Sequence, residues 1–225
     1  MKITFYGHAC FGIEIENTQI IIDPFISGNS AASHIDVAKI KADYILVTHA
    51  HQDHILDVET IAKNTGAVIV SNYEIYMHYT AKDFKAHPLN HGGTFKTKSF
   101  SAKYVNAVHT SSFPDGSYGG QPGGFVITAN GKSLYVAGDT AVTLDMKLIP
   151  MTTQLTASIF PIGDNFTMGV EDAIIASDLV ACNKVIGCHF NTFPPIEINV
   201  DYAKKKFSEA NKNLLILDIG TSIEI

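Results

Sequence analysis

The chain has 225 residues, 46% of them hydrophobic and 17% charged, enough apolar material for a buried core and too much for general disorder. All 16 basic residues are lysine, set against 22 acids for a net charge of −6. An acidic chain without arginine lacks the guanidinium forks that grip phosphate, so no nucleic-acid partner is expected.

The amino terminus, MKITFYGHACFGIEIE, alternates apolar and polar residues and is broken by Gly7, His8 and Gly12, which reads as strands at 2–6 and 11–16 and not as a signal peptide. A third strand, 19–23, closes at Pro24, and a Gly/Ser/Asn loop at 27–33 precedes a short helical stretch near 34–40. The run Tyr44-Ile45-Leu46-Val47 predicts a buried strand. Leu56, Ile61 and Ala62 at helical spacing predict a helix over 55–64, stopped by Gly66. A strand at 67–71 then leads to a helix from about Asn72.

In the second half, strands are predicted at 91–96, 100–108, 124–129, 132–137, 153–160 and 184–188, with Asn130-Gly131 as a hairpin turn. Helices are predicted at 170–181, with Glu171 and Asp172 in the first turn, and at 202–210. One or two strands close the chain. Strands dominate both halves, which predicts an α/β architecture: two sheets face to face with helices outside. Loop 113–124, with its five glycines and two prolines, reads as a flap or a plain surface loop. No stretch approaches the roughly 18 uninterrupted apolar residues of a membrane span. Cys10, Cys182 and Cys188 are an odd, sparse set suited to reduced thiols, so a cytoplasmic location is expected.

Ten histidines are in excess, and their placement is informative. Directly after the strand at 44–47 stands Thr48-His49-Ala50-His51-Gln52-Asp53-His54, with four potential ligands where a loop is free to fold around an ion. His109, Asp139 and His189 each follow a predicted strand in the same way. A single strand-end imidazole is usually just a partly buried side chain, and a lone Asp is usually a turn former. Their convergence with the first cluster points instead to a site on the rim of a sheet core. A catalytic zinc takes about three protein ligands plus water, so this many candidates imply two ions. His8 also ends a strand and is a candidate proton donor or substrate contact, while Asp23, before Pro24, is placed to orient the ligand loop.

HAHQDH at 49–54 resembles the H-x-H-x-D-H signature of the metallo-β-lactamase superfamily, and the order continues with His109, Gly138-Asp139-Thr140 and His189. The whole chain, 1–225, resembles the short single-domain metal-dependent hydrolases of that superfamily, similar in style to the ascorbate-6-phosphate lactonases. Supporting stretches are Ile22-Asp23-Pro24, Leu89 to Gly93, 161–173 and 189–197. The resemblance implies an αββα sandwich. It also implies that His49, His51 and His109 hold one metal, that Asp53, His54 and His189 hold the second, and that Asp139 bridges them. His51 stands where the oxygen-reducing di-iron branch carries glutamate.

Two dications about 3.5–4 Å apart share a water, lower its pKa to near neutrality and present it as hydroxide to a carbonyl or phosphoryl centre. The expected function is therefore a dinuclear hydrolase of a small ester, lactone or phosphodiester, with Asp53 and His8 as the catalytic candidates. The alternatives are a non-catalytic metal-binding or scaffold member of the fold, or a nuclease or phosphodiesterase. His and Asp ligands favour Zn2+ and also accept Mn2+, Fe2+ or Ni2+. The expected partner is a small-molecule substrate, with neither nucleic acid nor membrane, and homo-oligomerisation at a sheet rim is left open.

Overall fold

The computed structural model describes residues 1–225. The first sheet carries β1 (Lys2–Gly7), β2 (Cys10–Ile15), β3 (Thr18–Ile22), β4 (Tyr44–Leu46), β5 (Val68–Asn72) and β6 (Ala86–Leu89). The second carries β7 (Thr94–Lys96), β8 (Ser101–Asn106), β9 (Gly123–Ala129), β10 (Lys132–Val136), β11 (Ala157–Pro161), β12 (Lys184–Cys188) and β13 (Asn213–Leu215). A last strand, β14 (Ser222–Glu224), returns to the first sheet, giving the orders β14-β1-β2-β3-β4-β5-β6 and β13-β12-β11-β10-β9-β8-β7. Each sheet is antiparallel at one end and parallel at the other.

Strand alternation explains the layers. Ile3, Phe5, Phe11, Ile13, Ile20, Leu46 and Val70 meet Tyr104, Phe125, Leu134, Ile159 and Ile186 in one core between the sheets. The alternate residues Ile21, Ile45 and Ile69 face outward, onto α2 (Val58–Thr65) and α3 (Tyr73–Thr80). On the other side Tyr135, Phe160 and Val185 pack beneath α4 (Val170–Leu179) and α5 (Val200–Glu209). Strands buried on both faces appear in the sequence as unbroken apolar runs, and each fully buried Ile or Phe contributes about 1.5–3 kcal/mol. The αββα sandwich is the predicted one. No helix is long and apolar enough to cross a membrane.

Several element boundaries differ from expectation for local reasons. The helix expected at 55–64 is two pieces, α1 (Gln52–Ile55) and α2, because the buried Asp57 carboxylate between them accepts from the amides of Ile26 and Ser27. The strand expected from 91 starts at Thr94, and β6 was hidden by His87 and Pro88. The strand expected to run to 108 stops at Asn106, and the one expected from 153 begins at Ala157. The stretch near 34–40 is a 3-10 turn at Val37–Lys39, preceded by another at Ser30–Ala32. Asn130 and Gly131 both have positive φ, at 51° and 73°, as a two-residue hairpin turn requires.

Topology sets the place of the site. β1, β3 and β4 run in one direction in their sheet, and β8, β10 and β12 share a direction in theirs. His8, Asp23 and His189 directly follow β1, β3 and β12, while His49, His109 and Asp139 each lie three residues past β4, β8 and β10.

Candidate metal centre

The strand-end residues converge. His49, His51 and His109 bring ligand atoms within 4.8 Å of one another, and so do His8, Asp53, His54 and His189. Asp139 lies between the two groups. Its Oδ2 is 3.1 Å from His189 Nε2, 3.3 Å from His54 Nε2, 3.6 Å from His109 Nε2 and 3.9 Å from His49 Nε2. One buried carboxylate oxygen thus faces imidazoles of both sets.

Hydrogen bonds behind the site fix which nitrogen each ring presents. Asp23 accepts from the Thr48 amide at 2.8 Å, the Thr48 hydroxyl at 2.6 Å and His54 Nδ1 at 2.9 Å. The Thr48 hydroxyl, having donated to Asp23, accepts from His49 Nδ1 at 3.0 Å. Both rings therefore keep a proton on Nδ1 and turn Nε2 inward, the nitrogen that would face a metal. Asp23 is a positioning group, since its oxygens are occupied by these three donors. Sequence reasoning placed Asp23 in this role but missed Thr48, although its place between the buried strand and His49 was a usable signal.

The donor set fits divalent metal. His54 Nε2, Asp139 Oδ1 and both His189 nitrogens are buried with no hydrogen-bond partner, a cost of about 1–3 kcal/mol each if left so. His49 Nε2 and His51 Nδ1 lie 3.0 Å apart, close to the roughly 3.3 Å between two nitrogens on one tetrahedral zinc. His, Asp and no Cys is a set that suits zinc and its borderline neighbours.

Electrostatics separate the two groups. Burial pushes the His49 imidazole well below its ordinary value and lowers His51 and His109. Burial also works against charge on His54 and His189, but the carboxylates prevail: Asp139, with Asp23 and Asp53, lifts His54 well up, and Asp139 with Asp53 lifts His189 to about 9. Asp53 and Asp139 stay well below the carboxylate range because the facing imidazoles outweigh their burial.

His8 sits beside the second group. Its Nε2 is 3.1 Å from Asp53 Oδ2 and its Nδ1 is 2.9 Å from the Thr192 hydroxyl. Burial lowers its pKa to about 4, so the ring is neutral near pH 7. A carboxylate only accepts, which places the single ring proton on Nε2 and makes Thr192 the donor to Nδ1. Phe25 and Phe193 stand at 5.4 Å from His8 on its other sides. Phe25 had no role in the expected site, and although Thr192 and Phe193 lie in the 189–197 stretch that supports the resemblance, no spacing rule marks their contact with His8.

Other histidines lie elsewhere. His78 stacks on Phe113 at 3.9 Å, His87 packs near Phe95, and His91 stacks on Tyr104 at 5.1 Å with Nε2 on the Pro122 carbonyl. Asn72 ties Gly119 and Gln121, so loop 113–124 is anchored against the sandwich. Cys188 is buried in the central core. Gly163 is a close approach: a Cβ there would lie 2.1 Å from the His189 carbonyl. Gly163→Ala is expected to cost about 1–3 kcal/mol through overpacking, a drop of about 2–12 °C in Tm at this chain size. An unchanged melting curve would contradict that contact.

The sequence matches the family described as the Beta-lactamase superfamily domain over residues 2–189. The chain belongs to the metallo-β-lactamase superfamily. It is 62% identical, over all of both chains, to a protein named UPF0173 metal-dependent hydrolase from Christiangramia forsetii, and 61% identical, again end to end, to one of the same name from Flavobacterium johnsoniae. Among solved structures it resembles Igni18, a metallo hydrolase from the archaeon Ignicoccus hospitalis, with 32% identity, a TM-score of 0.90 and coverage of 100% of this chain and 98% of that one. The family spans both ligand groups, and its last matched residue is His189.

Proposed function

We propose that this protein is a metal-dependent hydrolase with a dinuclear centre, acting on a small ester, lactone or phosphodiester. The observation that carries the reading is Asp139 Oδ2, within 3.1–3.9 Å of four imidazole nitrogens drawn from both ligand groups. His49, His51 and His109 would hold one ion, Asp53, His54 and His189 the other, and Asp139 would bridge. The relatives named metal-dependent hydrolase support the class of reaction.

A divalent pair, when bound, supplies an acidified water and a Lewis acid for a carbonyl or phosphoryl oxygen. The chain supplies the rest. Asp53 has the most exposed carboxylate of the centre, its side chain 28% accessible, and is the group that accepts the water's proton. His8 holds a proton at Nε2 toward Asp53 and so orients that carboxylate, while the Thr192 hydroxyl fixes the His8 ring from behind. Phe25 and Phe193 exclude water from this corner. A small-molecule substrate in the cytoplasm, with no nucleic-acid partner, remains part of the proposal.

The test is metal analysis of purified protein, joined to a screen of ester, lactone, thioester and phosphodiester substrates with Zn2+, Mn2+, Fe2+ and Ni2+. About two ions per chain and turnover of at least one class are expected; protein that stays metal-free after loading with each ion sinks the reading. The two sites should also differ in pH response. Metal needs neutral imidazole, and burial shifts His49, His51 and His109 toward the neutral form, so the first site should bind with less proton release than the second. His54 and His189 hold protons up to higher pH, so affinity at the second site should fall about tenfold per proton displaced for each pH unit lowered below 9. Calorimetric titrations in buffers of different ionisation heat count those protons; equal release at both steps would contradict the asymmetry.

A further inference from the structure

Away from the metal centre, a cavity of about 300 Å³ lies on the outer face of the second sheet, beneath the segment that follows Thr143. None of the candidate metal ligands lines it. Val105 and Val126 form part of its floor, and Met146 and Ile149 part of its roof, so its body is apolar. An apolar cavity of 150 Å³ takes up benzene, so this one has room for about ten to twelve heavy atoms.

Two polar groups in the same wall lack partners. Tyr135 lines the cavity and is fully buried, and its hydroxyl finds no hydrogen-bond acceptor in the protein. Lys103 is half-buried on β8 and pairs with no carboxylate. Buried hydroxyls are nearly always bonded, and an ammonium without a partner in the protein makes its strongest hydrogen bond to an anion. The rim carries one acid, Asp145, already held by the Asn106 amide at 2.6 Å. One cation, one hydroxyl donor and a nearby carboxylate suit a monoanion and oppose a dianion such as a phosphate monoester.

We propose that this cavity binds a small monocarboxylate with an apolar chain or ring, at a site separate from the metal centre. The carboxylate takes Lys103 and the Tyr135 hydroxyl, and the apolar body lies against Val126, Met146 and Ile149. The site does not depend on the hydrolase reading.

The test is calorimetric titration of the metal-loaded, full-length protein with sodium octanoate, which has ten heavy atoms, and with 1-octanol as the uncharged probe. Saturable one-to-one binding of octanoate is expected, at least about tenfold weaker in Lys103→Met, several-fold weaker in Tyr135→Phe and unchanged in Asp139→Ala. Octanol should bind the wild type as weakly as octanoate binds Lys103→Met. Tyr135→Phe removes a hydroxyl without a partner, so melting at or above the wild-type temperature confirms that its loss of affinity is local. The proposal is overturned by absence of saturable binding, by equal affinity in wild type, Lys103→Met and Tyr135→Phe, or by binding that disappears only in Asp139→Ala, which would place the carboxylate on the metal ions.

Discussion

Asp139→Ala is expected to lower metal content below one ion per chain and to reduce kcat/KM by more than about 100-fold. Loss of a group that merely orients a ligand costs about 10–100-fold in affinity or activity, and Asp139 touches both ligand groups directly, so its removal must cost more. Its Oδ2 is the point where His49, His54, His109 and His189 meet, and no other carboxylate is within reach of all four. Without it, two dications would face each other with only Asp53 to offset their charge. The same substitution removes the chief influence that raises His189, so the ring should titrate below about 9 in metal-free protein, which proton NMR can follow. Wild-type metal content with wild-type turnover would refute the bridging role.

The second large effect is expected at a residue that faces the ligands only from behind. Asp23→Asn keeps shape and burial but turns one acceptor oxygen into an NH2 group. Asp23 receives three donors, the Thr48 amide on Oδ1 and the Thr48 hydroxyl and His54 Nδ1 on Oδ2, so either orientation of an amide sets a donor against a donor. His54 relieves the clash by moving its proton to Nε2, the atom that must carry a free lone pair for metal. A loss of about 10–100-fold in metal affinity and in kcat/KM is expected. Thr48→Val removes the branch to His49 and one of the three donors to Asp23 but leaves Asp23 bonded to His54, so it should cost less, with the second site intact. Metal titration of the two variants side by side decides the matter: equal losses, or none, would show that Asp23 does not govern both rings.

The parts of this protein legible in its sequence are those written by short-range spacing. H-x-H-x-D-H sits in six consecutive residues with the strand before it, and Asp139 and His189 follow runs whose β character is plain, so both the sandwich and the convergence of these strand-end residues could be read in advance. Boundaries failed where a side chain far along the chain intervenes. Asp57 divides the helix after the motif by binding the backbone of residues 26 and 27, which no helical periodicity reveals. β6 was obscured because His87 and Pro88 lower its strand character while pairing with β5 supplies it. Thr192 reaches His8 across 184 residues, a pairing that no local pattern marks. The legible features are local patterns, and the missed ones are tertiary hydrogen bonds that a chain forms only once both partners are in place.

The return of β14 to the first sheet bears on how the chain is made. β1 pairs with β2 within the first fifteen residues, but its other edge stays open until Ser222–Glu224 arrive to close it. Through most of synthesis, then, a nascent polypeptide displays a row of unpaired backbone amides and carbonyls beside the apolar Ile3 and Phe5, a template for strand addition from a neighbouring chain. Its final pairing spans more than 200 residues, as between Lys2 and Glu224, and so forms slowly. Ribosome-stalled or carboxy-terminally clipped products should be the aggregating species in a cell, even though the residues lost touch neither ligand group.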